Sequence, residues 1–240
     1  MKKLSLLVLS FFDYFHKIKI ISFIKKKVKK IQTIIDVGAH HGESIKLFLK
    51  NFEILNIYAF EPSSESFKNL IINTNYLLNK KKINYETYNL GLGSSDQKLL
   101  LNISLETSSS TINSINKKSN YNEKKNRYLG QTNKDFFHKK EDITVTTLDK
   151  AMLNKNCATI DLIKIDTEGY EYEVLKGSVE MLKKTKLILF EHHYDNMIIK
   201  NYTFKQINNF LIQNSFKKVF RAKMPFRKTF DYIYENTRQF

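Results

Sequence analysis

From residue 31 onward the chain alternates short β-branched or aromatic runs with longer stretches whose apolar positions recur every three to four residues, the pattern of an α/β sheet with crossover helices. Residues 31–37 read as a first strand that ends in a glycine turn. Residues 43–52 follow as a helix, with Ile45, Phe48, Leu49 and Phe52 on one face. Residues 56–60 form a second strand, closed by Pro62. Ser63 or Ser64 caps the next helix, where Phe67, Leu70, Ile71, Thr74, Leu77 and Leu78 share a side. Ile83, Tyr85 and Thr87 alternate with polar neighbours as a third strand, and residues 98–105 read as a further strand after a turn at 91–95.

The pattern lapses over residues 107–142, which are polar, rich in Ser, Asn and Lys, and without sustained period. A flexible insert or lid is expected there. Order resumes with residues 143–148, a strand at 160–166, a helix around 170–182 and a strand at 186–191. In one more helix Phe204, Ile207, Phe210 and Leu211 share a face. Two aromatic-rich runs, 217–221 and 229–234, flank a turn containing Pro225 and predict a C-terminal antiparallel hairpin. No internal repeat is present, which excludes a solenoid.

Composition adds that this pattern belongs to a folded chain: 240 residues, 42% hydrophobic and 13% aromatic, suit one large domain. The expected division is a helical segment at 1–30, apolar then basic, followed by the main domain at 31–240. The first segment imitates a targeting signal, but Asp13, Tyr14, Phe15 and His16 stand where a small-residue cleavage site belongs. Its uncharged run is also too short to span a bilayer. A helix packed on the domain is expected. The alternative is a peripheral membrane contact, with Lys17, Lys19 and the lysines of 25–30 among anionic headgroups.

The net charge of +16 invites a nucleic-acid partner. The excess is nearly all lysine, with Arg127, Arg221, Arg227 and Arg238 the only arginines, whereas base readout and bidentate phosphate clamps favour arginine. A Lys-, Asn- and Ile-rich codon bias accounts for it, and a nucleic-acid partner is not expected. Cys157 is the single cysteine, so no internal disulfide or multi-cysteine metal site can form, and a cytoplasmic location is expected.

Asp36-Val37-Gly38-Ala39-His40-His41-Gly42 falls where open α/β sheets bind ligands, at the carboxyl end of the first strand. Gly38 lets backbone approach a ligand with no Cβ in the way, and Gly42 permits a tight entry into the helix. The spacing is not the G-x-G-x-x-G of dinucleotide binders, so a ligand without pyrophosphate fits better. In Tyr58-Ala59-Phe60-Glu61-Pro62, Glu61 ends the second strand close to the ~20-residue offset at which a carboxylate accepts hydrogen bonds from ribose hydroxyls. A ribose-bearing cofactor is therefore expected. The strand in Asp161-Leu162-Ile163-Lys164-Ile165-Asp166-Thr167-Glu168-Gly169-Tyr170-Glu171 delivers Asp166 and Glu168 to the same edge. Lys164 and Asp166 share a face, so they can neutralise one another. Glu191-His192-His193 ends the next strand at that edge, and His192 is a candidate base.

These stretches resemble the FkbM family of methyltransferases, on Ile34-Ile35-Asp36-Val37-Gly38-Ala39-His40-His41-Gly42, on Tyr58-Ala59-Phe60-Glu61-Pro62, and above all on residues 161–171 with Val174-Leu175-Lys176-Gly177. The similarity runs over roughly residues 31–194. It implies the Rossmann-like class I methyltransferase fold: a mostly parallel seven-stranded sheet with helices on both faces and a C-terminal antiparallel hairpin. It also implies S-adenosylmethionine as cofactor, with Asp36, Gly38 and Ala39 around the methionine part in the turn closed by Gly42. Glu61 would hold the ribose, and Asn89 and Gly91 would lie near the adenine.

The activity implied is S-adenosylmethionine-dependent O-methylation of a hydroxyl on a sugar, glycan or small metabolite. Transfer from a sulfonium to oxygen is an in-line displacement, so the protein mainly aligns donor and acceptor and excludes water. A sugar-like hydroxyl also needs a proton acceptor, for which Asp166 or His192 are the candidates and Glu168 the orienter or alternative base. A divalent cation on Asp166, Glu168 and Glu191 could acidify the hydroxyl instead, but the spacing matches no strong metal motif and no metal is expected. The competing class is an RNA-binding protein or nucleic-acid methyltransferase that uses the lysine-rich surface. Neither an N-P-P-Y-like base-flipping motif nor an aromatic RNA-stacking signature is present for it. The acceptor identity and oligomeric state are not legible; residues 107–142 and those after Glu191 are expected to shape the acceptor site.

Overall fold

The computed structural model describes residues 2–28, 30–105, 107–116, 119, 137–155 and 157–238. In chain order the helices are α1 (Lys2–Lys27), α2 (Glu43–Asn51), α3 (Ser64–Lys81), α4 (Leu148–Ala151), α5 (Glu171–Lys176), α6 (Val179–Lys183) and α7 (Phe204–Gln213). The strands begin with β1 (Thr33–Val37), β2 (Asn56–Phe60), β3 (Asn84–Tyr88), β4 (Gly91–Leu92), β5 (Gln97–Ser104) and β6 (Ser114–Ile115). They continue with β7 (Phe137–Thr146), β8 (Ile160–Ile165), β9 (Thr185–His193), β10 (Ile198–Ile199), β11 (Phe216–Lys223) and β12 (Thr229–Asn236).

Seven strands form the central sheet in the order β11-β12-β9-β8-β1-β2-β3. Every neighbouring pair is parallel except those made by β12, which runs antiparallel to both β11 and β9. The chain leaves β1 towards β2 and β3 and later returns to β8 on its other side, so the strand order reverses between β1 and β8. Ligand-binding crevices open at such a point, outside the carboxyl ends of the strands. β1 and β8 are buried along their whole length, as strands with helices on both faces must be. Ile35, Val37, Ile163, Ile165 and Phe190 pack under α4 to α7, while Ile34, Leu162, Leu187 and Leu189 pack under α1 to α3.

The N-terminal segment joins this second layer. Ile20, Ile21 and Ile24 of α1 lie in the same buried cluster as Phe48 and Leu70, and each such side chain stabilises the packing by roughly 1.5–3 kcal/mol. His16 Nε2 stands 2.5 Å from Asp231 Oδ2, and Arg227 and Glu235 pair with Asp13 and Lys27 at 3.0 and 3.1 Å. These contacts fasten α1 along the β11–β12 hairpin. Among the described residues no helix is long and apolar enough to cross a membrane.

Two elements differ from the sequence reading, which also leaves open the sheet that two of the strands join. β5 and β7 stay out of the central sheet and form a separate one with β4, in the order β4-β7-β5, because Leu101, Ile103, Ile143 and Val145 make a small core of their own. The stretch 107–142, read as a flexible insert or lid, contains ordered structure: a 3₁₀ turn at Thr107–Ser109, β6 paired with β10, and the first residues of β7. The charged run Lys139, Lys140, Glu141 and Asp142 extends the strand because antiparallel β5 satisfies its backbone, opposite Ile103, Asn102, Leu101 and Leu100. Residues 117, 118 and 120–136 of that stretch lie outside the described residues. The single helix expected at 170–182 is two, α5 and α6. It breaks at Gly177, where an added Cβ would stand 1.9 Å from the Gly93 carbonyl oxygen.

Candidate active site

The turn from β1 into α2 is shaped by close backbone packing. Gly38 has φ 75°, and a Cβ on it would lie 1.9 Å from the carbonyl oxygen of Asp166. Asp166 N donates to Val37 O at 3.0 Å, so the ends of β1 and β8 are drawn together where any larger residue would force them apart. Gly38 N and Ala39 N both donate to Phe60 O at 3.0 Å, which ties the same turn to β2. Gly42, at φ 85°, brings the start of α2 against Thr74 of α3.

Behind this turn lies a buried charge pair. The Asp36 carboxylate is fully enclosed and sits 3.1 Å from Lys164 Nζ, which also donates to Gly38 O at 3.0 Å and stands 3.4 Å from Asp166. Burial opposes the ammonium, but the Asp36 and Asp166 carboxylates outweigh it and hold Lys164 well above the ordinary lysine range. Lys164 therefore braces the turn from behind, with Asp36 as its buried counter-charge.

A cavity of about 300 Å³ opens in front, at the low end of the range for ligand pockets. Gly38, Ala39, Glu61, Gly91, Lys164 and Asp166 line it. Glu61 is only 7% exposed; Oε2 accepts from His40 N at 2.8 Å and Oε1 from Ser63 N at 2.9 Å. Burial pushes its carboxyl above the usual range, against those two donors. Each oxygen keeps a further lone pair for another donor. Asn89 is one step removed from the cavity: its Nδ2 donates to the carbonyls of Glu61 and Pro62, both at 2.9 Å, and so fixes the turn that carries Glu61. α1 also reaches the cavity, through Lys17.

The segment after β8 is held by Glu171, a residue that sequence reasoning passed over. Its Oε1 accepts from Gly169 N at 2.9 Å and from Thr167 N at 3.2 Å, and its Oε2 accepts from the Tyr202 hydroxyl. Asp166 and Glu168 come out of this segment into the cavity wall, with the Asp166 side chain 37% exposed.

The two histidines of β9 part company. Alternation turns Phe190 and His192 to one face and Glu191 and His193 to the other. His192 is 3% exposed and does not line the cavity; its ring packs 4.7 Å from Tyr194 and 5.5 Å from Phe204. Burial, with Lys200 and His193 nearby, pushes it down to about 3, so it is neutral and a weak base. His193 instead faces the carboxylates, with Nε2 3.1 Å from Glu168 Oε2 and 2.9 Å from Glu191 Oε1. Burial opposes a charge on His193, but Glu168, Asp195 and Glu191 raise its pKa above the usual. Spacing from Glu191 was the signal for it: two positions along a strand share a face.

Comparison with known proteins fits this geometry. The sequence profile of the Methyltransferase FkbM domain matches residues 36–221. The chain belongs to the FkbM methyltransferase family. Membership names S-adenosylmethionine as its methyl donor, and the fold is that of class I methyltransferases. Among solved structures, the methyltransferase FkbM from Methylobacillus flagellatus KT aligns with a TM-score of 0.55 at 14% identity, over 85% of this chain and 43% of that one. This FkbM chain thus spans less than half the length of that relative. Magnesium protoporphyrin IX methyltransferase (ChlM) from Synechocystis PCC 6803 with bound SAM aligns with a TM-score of 0.52 at 8% identity, over 92% of this chain and 78% of that one. No curated protein matches the sequence.

The donor fits the residues present. Gly38 lets the β1 turn close onto the Asp166 carbonyl and lines the cavity with bare backbone, and Glu61 offers buried carboxylate lone pairs at the same cavity.

Proposed function

We propose that this FkbM-family protein methylates a hydroxyl group of a sugar, glycan or small metabolite, with Gly38, Ala39, Glu61 and Gly91 holding S-adenosylmethionine. When bound, that molecule supplies an electrophilic methyl on its sulfonium. Glu61 would accept the ribose hydroxyls, and Gly38 and Ala39 would let backbone lie along the methionine part. The reading is carried by one observation: a partly exposed carboxylate, Asp166, lines the same cavity as Glu61. A hydroxyl acceptor must lose a proton as the carbon–oxygen bond forms, and a positioned base contributes about 10²–10⁴-fold. Asp166 is our candidate to take that proton, steadied by Lys164, with Glu168 beside it. His192 stands outside this assignment because it faces the opposite layer.

The test uses donor labelled at its methyl group and a panel of glycans and hydroxylated metabolites, with products read by mass spectrometry. Asp166→Asn is expected to lower kcat by about a hundredfold or more while leaving donor affinity intact, whereas Glu61→Ala weakens donor binding. A labelled product that mild alkali hydrolyses, the behaviour of a methyl ester rather than an ether, would overturn the hydroxyl assignment.

A further inference from the structure

Glu168, Glu191 and His193 offer three ligand atoms that all lie within 4.8 Å of one another. Their arrangement is a poor hydrogen-bonded cluster. His193 Nε2 stands 2.9 and 3.1 Å from two carboxylate oxygens, yet it is buried and has no hydrogen-bond partner among the described residues, because the oxygens lie off the line its N–H would take. Those separations suit an ion instead: neighbouring ligands with bonds of about 2.1 Å in octahedral geometry stand about 3.0 Å apart.

The surroundings point the same way. His193 Nδ1 lies 3.2 Å from Thr229 Oγ1, the kind of contact that fixes the tautomer leaving Nε2 free to ligate. Asp195 adds a third carboxylate 3.6 Å from the same ring, with a buried oxygen that also lacks a hydrogen-bond partner. Lys200, whose charge acts on Glu168 and Asp195, donates to the His193 carbonyl. Three largely enclosed carboxylates around one imidazole make a donor-rich setting for a cation.

We infer that Glu168, Glu191 and His193 form a binding site for one divalent cation of the Mn²⁺ or Zn²⁺ type. An imidazole with two carboxylates is a mixed donor set, which suits these ions better than Mg²⁺ or Ca²⁺. Glu168 also lines the cavity, so the ion lies at its wall, where it can polarise an acceptor hydroxyl. That use rests on the hydroxyl reading above; the site itself does not.

The full-length protein is titrated with Mn²⁺, and free ion is followed by electron paramagnetic resonance, with donor affinity measured in parallel by calorimetry. One bound equivalent is expected. His193→Ala and Glu191→Gln should each weaken Mn²⁺ binding at least about tenfold and Thr229→Val by about ten- to a hundredfold, with donor affinity retained. Glu61→Ala should do the reverse, so loss of the donor site and loss of the ion site are read separately. Because a buried variant can fail to fold, Glu168→Gln serves as a second test, with circular dichroism as the check. A wild-type protein that holds neither Mn²⁺ nor Zn²⁺ at millimolar concentration overturns the inference, as does undiminished binding in folded Glu168→Gln.

Discussion

Replacing Lys164 with methionine isolates the charge pair beneath the β1 turn. The change keeps an unbranched side chain one atom shorter but removes the partner of Asp36, whose carboxylate is fully enclosed and 3.1 Å from the ammonium. Breaking a buried pair from one side costs about 3–5 kcal/mol, since an uncompensated charge stays behind. At about 2–4 °C per kcal/mol for a chain of this size, the melting temperature should fall by roughly 6–20 °C. The sign with pH is fixed by the shifts. Lys164 has its folded pKa raised, so its contribution is present at neutral pH and is lost as pH rises through the folded value; burial raises Asp36 as well, so the pair also weakens in acid as that carboxylate takes up a proton. In Lys164→Met the lone Asp36 carboxyl titrates upward, so its penalty shrinks as pH is lowered. Adding Asp36→Asn should restore part of the loss, and urea unfolding of the four proteins of the double-mutant cycle measures the coupling. A loss below about 1 kcal/mol for Lys164→Met, or a double variant no more stable than the single, would refute the argument.

Gly38→Ala should cost about 2 kcal/mol or more and abolish donor binding, because the new methyl meets the Asp166 carbonyl at a positive φ; urea melts and calorimetry check both. Glu43→Gln should cost stability at neutral pH and little in acid. Burial opposes the Glu43 charge, but the hydrogen bond from His40 and the backbone bring it down to about 2, so its contribution is present above the ordinary glutamate range and fades as pH falls from there towards 2. Glu43 is half exposed, so solvent screening keeps the effect small, within about 1 kcal/mol, measured as the difference between urea midpoints at pH 7 and pH 3. His192→Phe should leave the methyl-transfer rate within about threefold of wild type, since the ring packs among Tyr194 and Phe204 and makes no hydrogen bond through Nδ1.

The elements around the donor turn were the most legible in the sequence. β1, β2 and β8 are mostly apolar runs that lead into Gly38, Glu61 and Asp166, and buried parallel strands have few other ways to be written. What stayed hidden depended on partners far along the chain. The polar residues 139–142 show no strand alternation, and only the antiparallel edge of β5 makes them a strand. The need for glycine at the break, Gly177, comes from a carbonyl at Gly93, in another turn altogether. His192 and His193 are equivalent as text; the face to which β9 turns each of them separates a ring in the core from a ring among carboxylates. Asp36 and Asn89, expected at the cofactor from the family resemblance, do not line the cavity: Asp36 pairs with Lys164, and Asn89 holds the turn that carries Glu61.

The contact between Gly38 and the Asp166 carbonyl has a consequence for motion. With no gap between them, the floor under the donor and the carboxylate at the end of β8 belong to a single stiff block. Their spacing is therefore set when the chain folds and cannot be adjusted afterwards by loop closure. Whatever flexibility admits an acceptor must come from the walls, where α1 and the Thr107–Ser109 turn meet the cavity.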